Sequence, residues 1–248
     1  MNAATIRRGV TVFVGLMALW QLATFGSIPA FLLPSPIAVA AAMRDNAGYL
    51  AYHTLITATE IAGGLIAGVL LGALLALLMT FSPGLQRWLM PLVLTSQAIP
   101  VFALAPLLVL WFGFGISAKI VMAILVIFFP VASAFFDGLL RVEQDYLDLA
   151  RTMGASSASQ LRHVRLMAAL PAFGSGLRMA VAVAPIGAIV GEWVGSAEGL
   201  GFVMLNANAR MQSDLCFAAL FVLVAMTIAL WLSTDILLRR LIRWSPER

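Results

Sequence analysis

Hydrophobic residues run along this chain in long unbroken blocks separated by short polar intervals. Neither the one-sided stripe of a surface helix nor the alternation of a half-buried strand is sustained, so these are segments surrounded by apolar material on every side. The blocks predict six membrane-spanning helices, at about Val10–Phe25, Thr54–Met79, Leu89–Phe112, Lys119–Phe136, Pro171–Val194 and Leu215–Leu238. At about 1.5 Å per residue, each crosses most or all of a bilayer core. Between the first two, Pro29, Pro34 and Pro36 exclude a further span, and Ala38–Met43 offers a short interfacial helix. No small-residue cleavage site follows the first block, which favours an anchored helix over a removable signal peptide.

Breaks within the blocks carry further information. Gly64, Gly68 and Gly72 recur every fourth residue in the second block, with Gly63 beside them, a spacing that lets helices approach closely in lipid. Pro91, Pro100 and Pro106 each remove a backbone donor from the third block, and Pro185 does so in the fifth. Loosened backbone at membrane depth is tolerated where it is buried in protein or lines a wet cavity. Ser96, Gln97, Pro100 and Pro185 are therefore candidates for lining a solute path, and Glu192 and Trp193, at the far end of the fifth block, join them. Glu60 is an acid inside a span and a functional candidate by default, although its headgroup reach is the plainer reading. Ser196–Asp214 reads as an outer loop, and Asp235 and Arg239 are spaced for an i to i+4 ion pair.

One interval is long and polar, Glu143 to Pro171. Asp145 is placed to cap a short helix, with Asp148 three residues on, and Gly154 supplies the left-handed stop. Ser157 followed by Gln160 repeats the start signal and predicts a second helix over about Ala158–Met167. Ala150 and Gly154 leave one side of the first helix nearly bare, open to close approach by another protein.

Composition agrees with the pattern: 62% of the 248 residues are hydrophobic and 10% are charged, which no water-soluble globule with an ordinary surface shows. The net charge of +4 matters less than its placement. With both termini inside, only Arg44, Lys119 and Arg210 of the 15 Lys and Arg residues fall outside, and the C-terminal cluster Arg239, Arg240, Arg243 and Arg248 is cytoplasmic. No basic run interleaved with aromatics points to nucleic acid. A single cysteine and two distant histidines give neither a disulfide framework nor a metal constellation.

The polar interval resembles the cytoplasmic loop of bacterial ABC importer permeases, whose pattern is E-A-A, three residues, G, nine residues, then I-x-L-P. Asp148, Leu149 and Ala150 stand for E-A-A, Gly154 is the glycine, and Val164 and Leu166 hold the I and L positions. Leu149 departs from alanine, and Met167 stands where proline is expected, although Pro171 follows one turn later. Leu32-Leu33-Pro34-Ser35-Pro36 and Gly199-Leu200-Gly201 resemble the nitrate, sulfonate and taurine branch of that family. Within it, Ser96 to Pro106, Phe135-Phe136-Asp137-Gly138, Ala184 to Gly187 and Gly191-Glu192-Trp193 are most similar to permeases for the thiamin precursor hydroxymethylpyrimidine.

The resemblance implies an all-α polytopic membrane protein with six transmembrane helices and a cytoplasmic coupling-helix loop at about residues 140–170, in one permease domain over 1–248. It implies a bacterial inner-membrane location and docking of the loop on a separate ABC ATPase subunit, present in two copies. Further implied partners are a periplasmic or lipid-anchored substrate-binding protein and a second permease copy in a homodimer within the lipid bilayer. The only lysine, Lys119, stands in no phosphate-binding loop, so ATP and Mg are expected on the partner and no cofactor on this chain. No nucleophile with a base and no zinc helix is legible, and a permease without a catalytic site of its own is expected. Two other readings stay open: a sulfonate, taurine or nitrate permease of the same type, and an ion-coupled secondary transporter using Glu60 and Glu192 as coupling acids.

Overall fold

The computed structural model describes residues 3–24 and 29–244, and every regular element among them is helical. The described chain divides into two compact units, Met1–Ile56 with Glu198–Val224 and Thr57–Ala197 with Ala225–Arg248. The boundary falls inside two long helices, α3 (Ala47–Phe81) and α11 (Ser213–Leu241).

In the first unit, α1 (Ala3–Thr24) covers the predicted first span, whose end at Phe25 lies outside the described residues, as do Ile28 and Arg248. Trp20 stacks on Phe217 and Phe221 at centroid distances of 5.9 and 5.6 Å. The short helix expected after the prolines is α2 (Pro36–Asp45), with Pro36 at its start and the Ser35 hydroxyl accepting from the Ala38 amide. Ser213 Oγ donates to the Phe31 carbonyl. The predicted outer loop contains a helix that sequence reasoning missed, α10 (Leu200–Ala209), with Leu200, Gly201, Val203 and Ala207 buried. It follows Gly199, whose φ of +106° only glycine adopts without strain. The Gly199 amide donates to His53 Nδ1 at 2.9 Å, and Tyr52 donates to Glu198 at 2.8 Å.

The second unit is built on α6 (Ile116–Leu140) packed antiparallel to α9 (Leu166–Gly195), with α3 laid against α6. The glycines expected to allow close packing do so. A Cβ on Gly64 would stand 2.3 Å from Ala123 Cβ, one on Gly68 2.7 Å from Ile127 Cγ2, and one on Gly72 2.6 Å from the Phe128 carbonyl. From the other side, a Cβ on Gly187 of α9 would lie 2.7 Å from Ala123 Cα. Ala123 is thus clasped between glycines of two helices, and around it Ile61, Ile127, Val131, Ala180, Ala184 and Ala188 form the core.

Three predicted boundaries are corrected. The third span is not one helix: α4 (Pro83–Ser96) and α5 (Val101–Phe112) are bent by 102° at Gln97–Pro100. Pro100 has no amide to donate and bars Ile99 from the helical region, whereas Pro91 and Pro106 are absorbed within their helices. The interval between the second and third predicted spans, Met79 to Leu89, shrinks to Ser82, whose hydroxyl accepts from the Leu85 amide at the start of α4. The fifth span does not begin at Pro171, because an unbroken helical run from Ser157 to Gly195 passes through both Pro171 and Pro185. A π-helical turn at Leu161–Arg165 takes up the extra residue, and Leu161, Leu166 and Phe173 pack on the buried cluster of Met79, Phe135, Phe136 and Leu139. That packing outweighs the local stop signal.

Among the described residues, four helices are long and apolar enough to cross a membrane, Ala47–Phe81, Ile116–Leu140, Ser157–Gly195 and Ser213–Leu241, and a fifth results if the bent pair is one span. The first helix contributes the apolar stretch Val14–Thr24 among the described residues.

Candidate coupling surface and solute cleft

The polar interval folds as α7 (Gln144–Thr152), a tight turn, and α8 (Ser157–Gln160), which leads through the π turn into α9. The caps differ from the expected ones by two residues in α7 and by one in α8. Glu143, not Asp145, is the N-cap of α7, and Asp145 lies in its first turn, where a carboxylate still favours the helix dipole. Ser156, not Ser157, caps α8 by accepting from the Ser159 amide. The stop is as expected: Gly154 has φ +80°, its amide donates to the Arg151 carbonyl, and the Ala155 amide reaches back to the Ala150 carbonyl, both at 2.9 Å. Gln160 Nε2 donates to the Ala155 carbonyl and holds the turn against the next helix.

Leu147 alone anchors α7 inward, with 1% of its surface exposed. The opposite face presents Tyr146, Leu149 and Met153 to the outside, with Met153 79% exposed, and Ala150 half-buried beside them. This spacing of three and four residues makes an apolar stripe on a helix that projects from the second unit. Asp148 is also exposed and pairs with Arg151 at 2.7 Å. A side chain at Gly154 would meet nothing within 4 Å, so left-handed backbone, rather than crowding inside this chain, demands glycine there. Val164 and Leu166 sit apart from the stripe. Val164 is half-buried in the π turn, and Leu166 packs into the core.

The intramembrane acids are engaged in the interior. Lys119 Nζ donates to Glu60 Oε1 at 2.6 Å, with both side chains buried, tying α6 to α3. Lys119, read from the sequence as a charge at the outer end of the fourth span, is also a buried partner. Room for its stem comes from Gly191, where a Cβ would stand 3.2 Å from Lys119 Cα. Thr57 Oγ1 donates to Glu192 Oε1 at 2.6 Å and ties α3 to α9. Asp235 meets Arg239 in the expected ion pair at 2.7 Å and also Arg178, at the same distance, which joins α9 to α11.

A cleft of about 530 Å³ opens between α6 and α9. Val126, Phe129, Pro130, Ser133 and Asp137 lie along one face of α6, and Ser175, Met179, Val183 and Ile186 along the facing side of α9. Gln97, at the break between α4 and α5, reaches the same cleft. Of the six path candidates, only Gln97 lines it. Ser96 turns its hydroxyl to the Val93 carbonyl, Pro100 is exposed at the bend, Pro185 and Glu192 are buried, and Trp193 is exposed near the end of α9. Ser133 and Asp137 were missed, although two polar residues four apart in an apolar helix were a readable signal.

Residues 68–245 match the family described as "binding-protein-dependent transport system inner membrane component". The chain belongs to this family. It is an ABC importer permease subunit, an inner-membrane component with several apolar helices, and the ion-coupled alternative gives way to that assignment. A "probable ABC transporter permease protein" of Haemophilus influenzae is 55% identical over 93% of this chain and 94% of its own length. The formylaminopyrimidine transport permease protein ThiX of Halalkalibacterium halodurans is 38% identical over 85% of each chain. The taurine transport system permease protein TauC of Escherichia coli is 32% identical over 98% of this chain and 92% of its own. Among solved structures, an inward-facing MetNI methionine ABC transporter chain has the same fold, with a TM-score of 0.60 over 75% of this chain and 91% of its own at 22% identity.

Proposed function

We propose that this permease imports a thiamin-precursor pyrimidine of the hydroxymethylpyrimidine type, driven by a separate ATPase that docks on α7. The observation that carries the docking is the exposed stripe of Tyr146, Leu149 and Met153 on a helix closed by the left-handed Gly154. Such a stripe has no reason to face water and suits a hydrophobic cleft on a partner. Asp148, Leu149, Ala150 and Gly154 form the contact, with Val164 and Leu166 transmitting motion into α9. Two permease copies and two ATPases complete the machine, ATP and Mg reside on the ATPases, and a periplasmic or lipid-anchored binding protein delivers the solute.

In this reading the whole chain works as one permease domain, α1 and the bent pair complete six spans, and both termini are cytoplasmic. The mechanism is a shift between inward-open and outward-open populations, biased by closure of the ATPase pair on the α7 helices. The pyrimidine assignment is supported by the likeness to a formylaminopyrimidine permease and by the scarcity of charge at the cleft. The test is Gly154→Trp in the complete complex in proteoliposomes. Hydrolysis of ATP uncoupled from pyrimidine uptake, with the protein still in the membrane, is expected, and normal uptake contradicts docking at this site.

A further inference from the structure

The acids of the second unit divide by their partners. Glu60 is held by Lys119, Glu192 by Thr57, Asp235 by Arg178 and Arg239, and Asp148 by Arg151, whereas the exposed acids Asp137, Glu143 and Asp145 have no such partner among the described residues. Of these three, Asp137 is the one on the wall of the cleft, where its side chain is exposed. Its position is also locally unfavourable. It falls in the last turn of α6, where unsatisfied carbonyls carry partial negative charge and a cation is preferred.

The cleft sets the chemistry around this acid. Its lining includes no lysine, arginine or histidine, so Asp137 gives it a net negative charge that nothing in the wall offsets. Val126 and Asp137 stand 11 residues apart along one helix, roughly 16 Å of path. Along it, Phe129, Met179, Val183 and Ile186 offer apolar contact, while Gln97, Ser133 and Ser175 offer groups that both donate and accept. An anionic solute passing here would meet a carboxylate with no basic group in the wall to offset it, and so a net repulsion. A flat uncharged or cationic solute with N–H donors would meet an unoccupied acceptor.

We infer that Asp137 is the charge filter of this permease, admitting neutral or cationic N–H-bearing solutes such as an aminopyrimidine and rejecting sulfonates and other anions. The inference rests on the proposed permease function and adds to it a residue of this chain that selects the solute by charge.

The test uses the complete complex of permease, ATPase and binding protein in proteoliposomes, with labelled hydroxymethylpyrimidine and taurine offered separately. Wild type should take up the pyrimidine and exclude taurine. Asp137→Lys should lower pyrimidine uptake by about ten- to a hundredfold, the weight of one hydrogen bond to a charged group. Moving the acid one turn along the same face, in the double variant Ser133→Asp with Asp137→Ser, should restore most of it. The filter is overturned if Asp137→Lys transports as wild type does, or if an assembled double variant does no better than Asp137→Lys. It is equally overturned if wild type carries taurine, an outcome that leaves the permease role standing. ATP-dependent uptake of neither solute would remove the pyrimidine reading, and the filter with it.

Discussion

The interior of α3, α6 and α9 and the α7 segment use the same small residue, glycine, for opposite purposes. At Gly64, Gly68, Gly72 and Gly187 the missing side chain is space already filled by a neighbouring helix. At Gly154 the space is empty, and the backbone conformation alone excludes other residues. The charges divide the same way. Glu60 and Lys119 are buried against each other, whereas Asp148 and Arg151 pair in the open. In the interior, charges and close contacts are matched by neighbouring helices of this chain, whereas α7 is a surface whose apolar stripe is left for another chain.

The contrast is broken most forcefully at Lys119. Lys119→Met leaves Glu60 as an unpaired buried charge and is expected to destabilise the protein by about 3–5 kcal/mol. Thermal denaturation of the purified protein in detergent reads this as a large fall in Tm. Adding Glu60→Met should recover most of the loss, since replacing both partners of a buried pair by apolar groups is often neutral. A double variant as unstable as the single one would show that the pair does more than neutralise itself.

Next in size is Gly64→Leu, which drives a side chain into Ala123 and is expected to cost about 1–3 kcal/mol through overpacking. The same denaturation measurement checks it, and an unchanged Tm would mean that α3 does not lie on α6 as described. Leu149→Asp should leave Tm within error because the side chain is 59% exposed, yet it should abolish ATP-driven uptake. A fall in Tm with intact uptake would reverse the assignment of α7 as a docking surface. The smallest effect belongs to Asp148→Ala. Loss of an exposed pair should change stability by no more than about 0.5 kcal/mol, so any loss of uptake would report on the partner rather than on the fold.

How far these regions were legible beforehand follows from the range of the forces involved. The glycine ladder was visible because helix periodicity alone places residues four apart on one face. The stop at Gly154 was visible because it depends on neighbouring backbone groups only. The ion pair of Asp235 with Arg239 was local and read correctly, while Arg178, 57 residues away in the chain, was not expected to join it. The pairing of Lys119 was not read for the same reason, since its partner lies 59 residues back on another helix. The boundary at Pro171 was misread because apolar packing of Leu161 and Leu166 outweighed a local signal. The bend at Gln97–Pro100 was anticipated as loosened backbone, and its 102° was not.

By itself the sequence determined that this protein is helical and apolar enough for a membrane, where its helices can pack closest, and where the polar segment stops and restarts. These depend on composition, on a period of 3.6 residues and on the stereochemistry of glycine and proline, all properties of neighbours in the chain. Only the tertiary structure decided which acids are neutralised, which prolines break a helix, and which faces of α6 and α9 enclose the cleft that leaves Asp137 without a partner. Those outcomes depend on side chains brought together from distant helices, and no local pattern encodes which two surfaces meet.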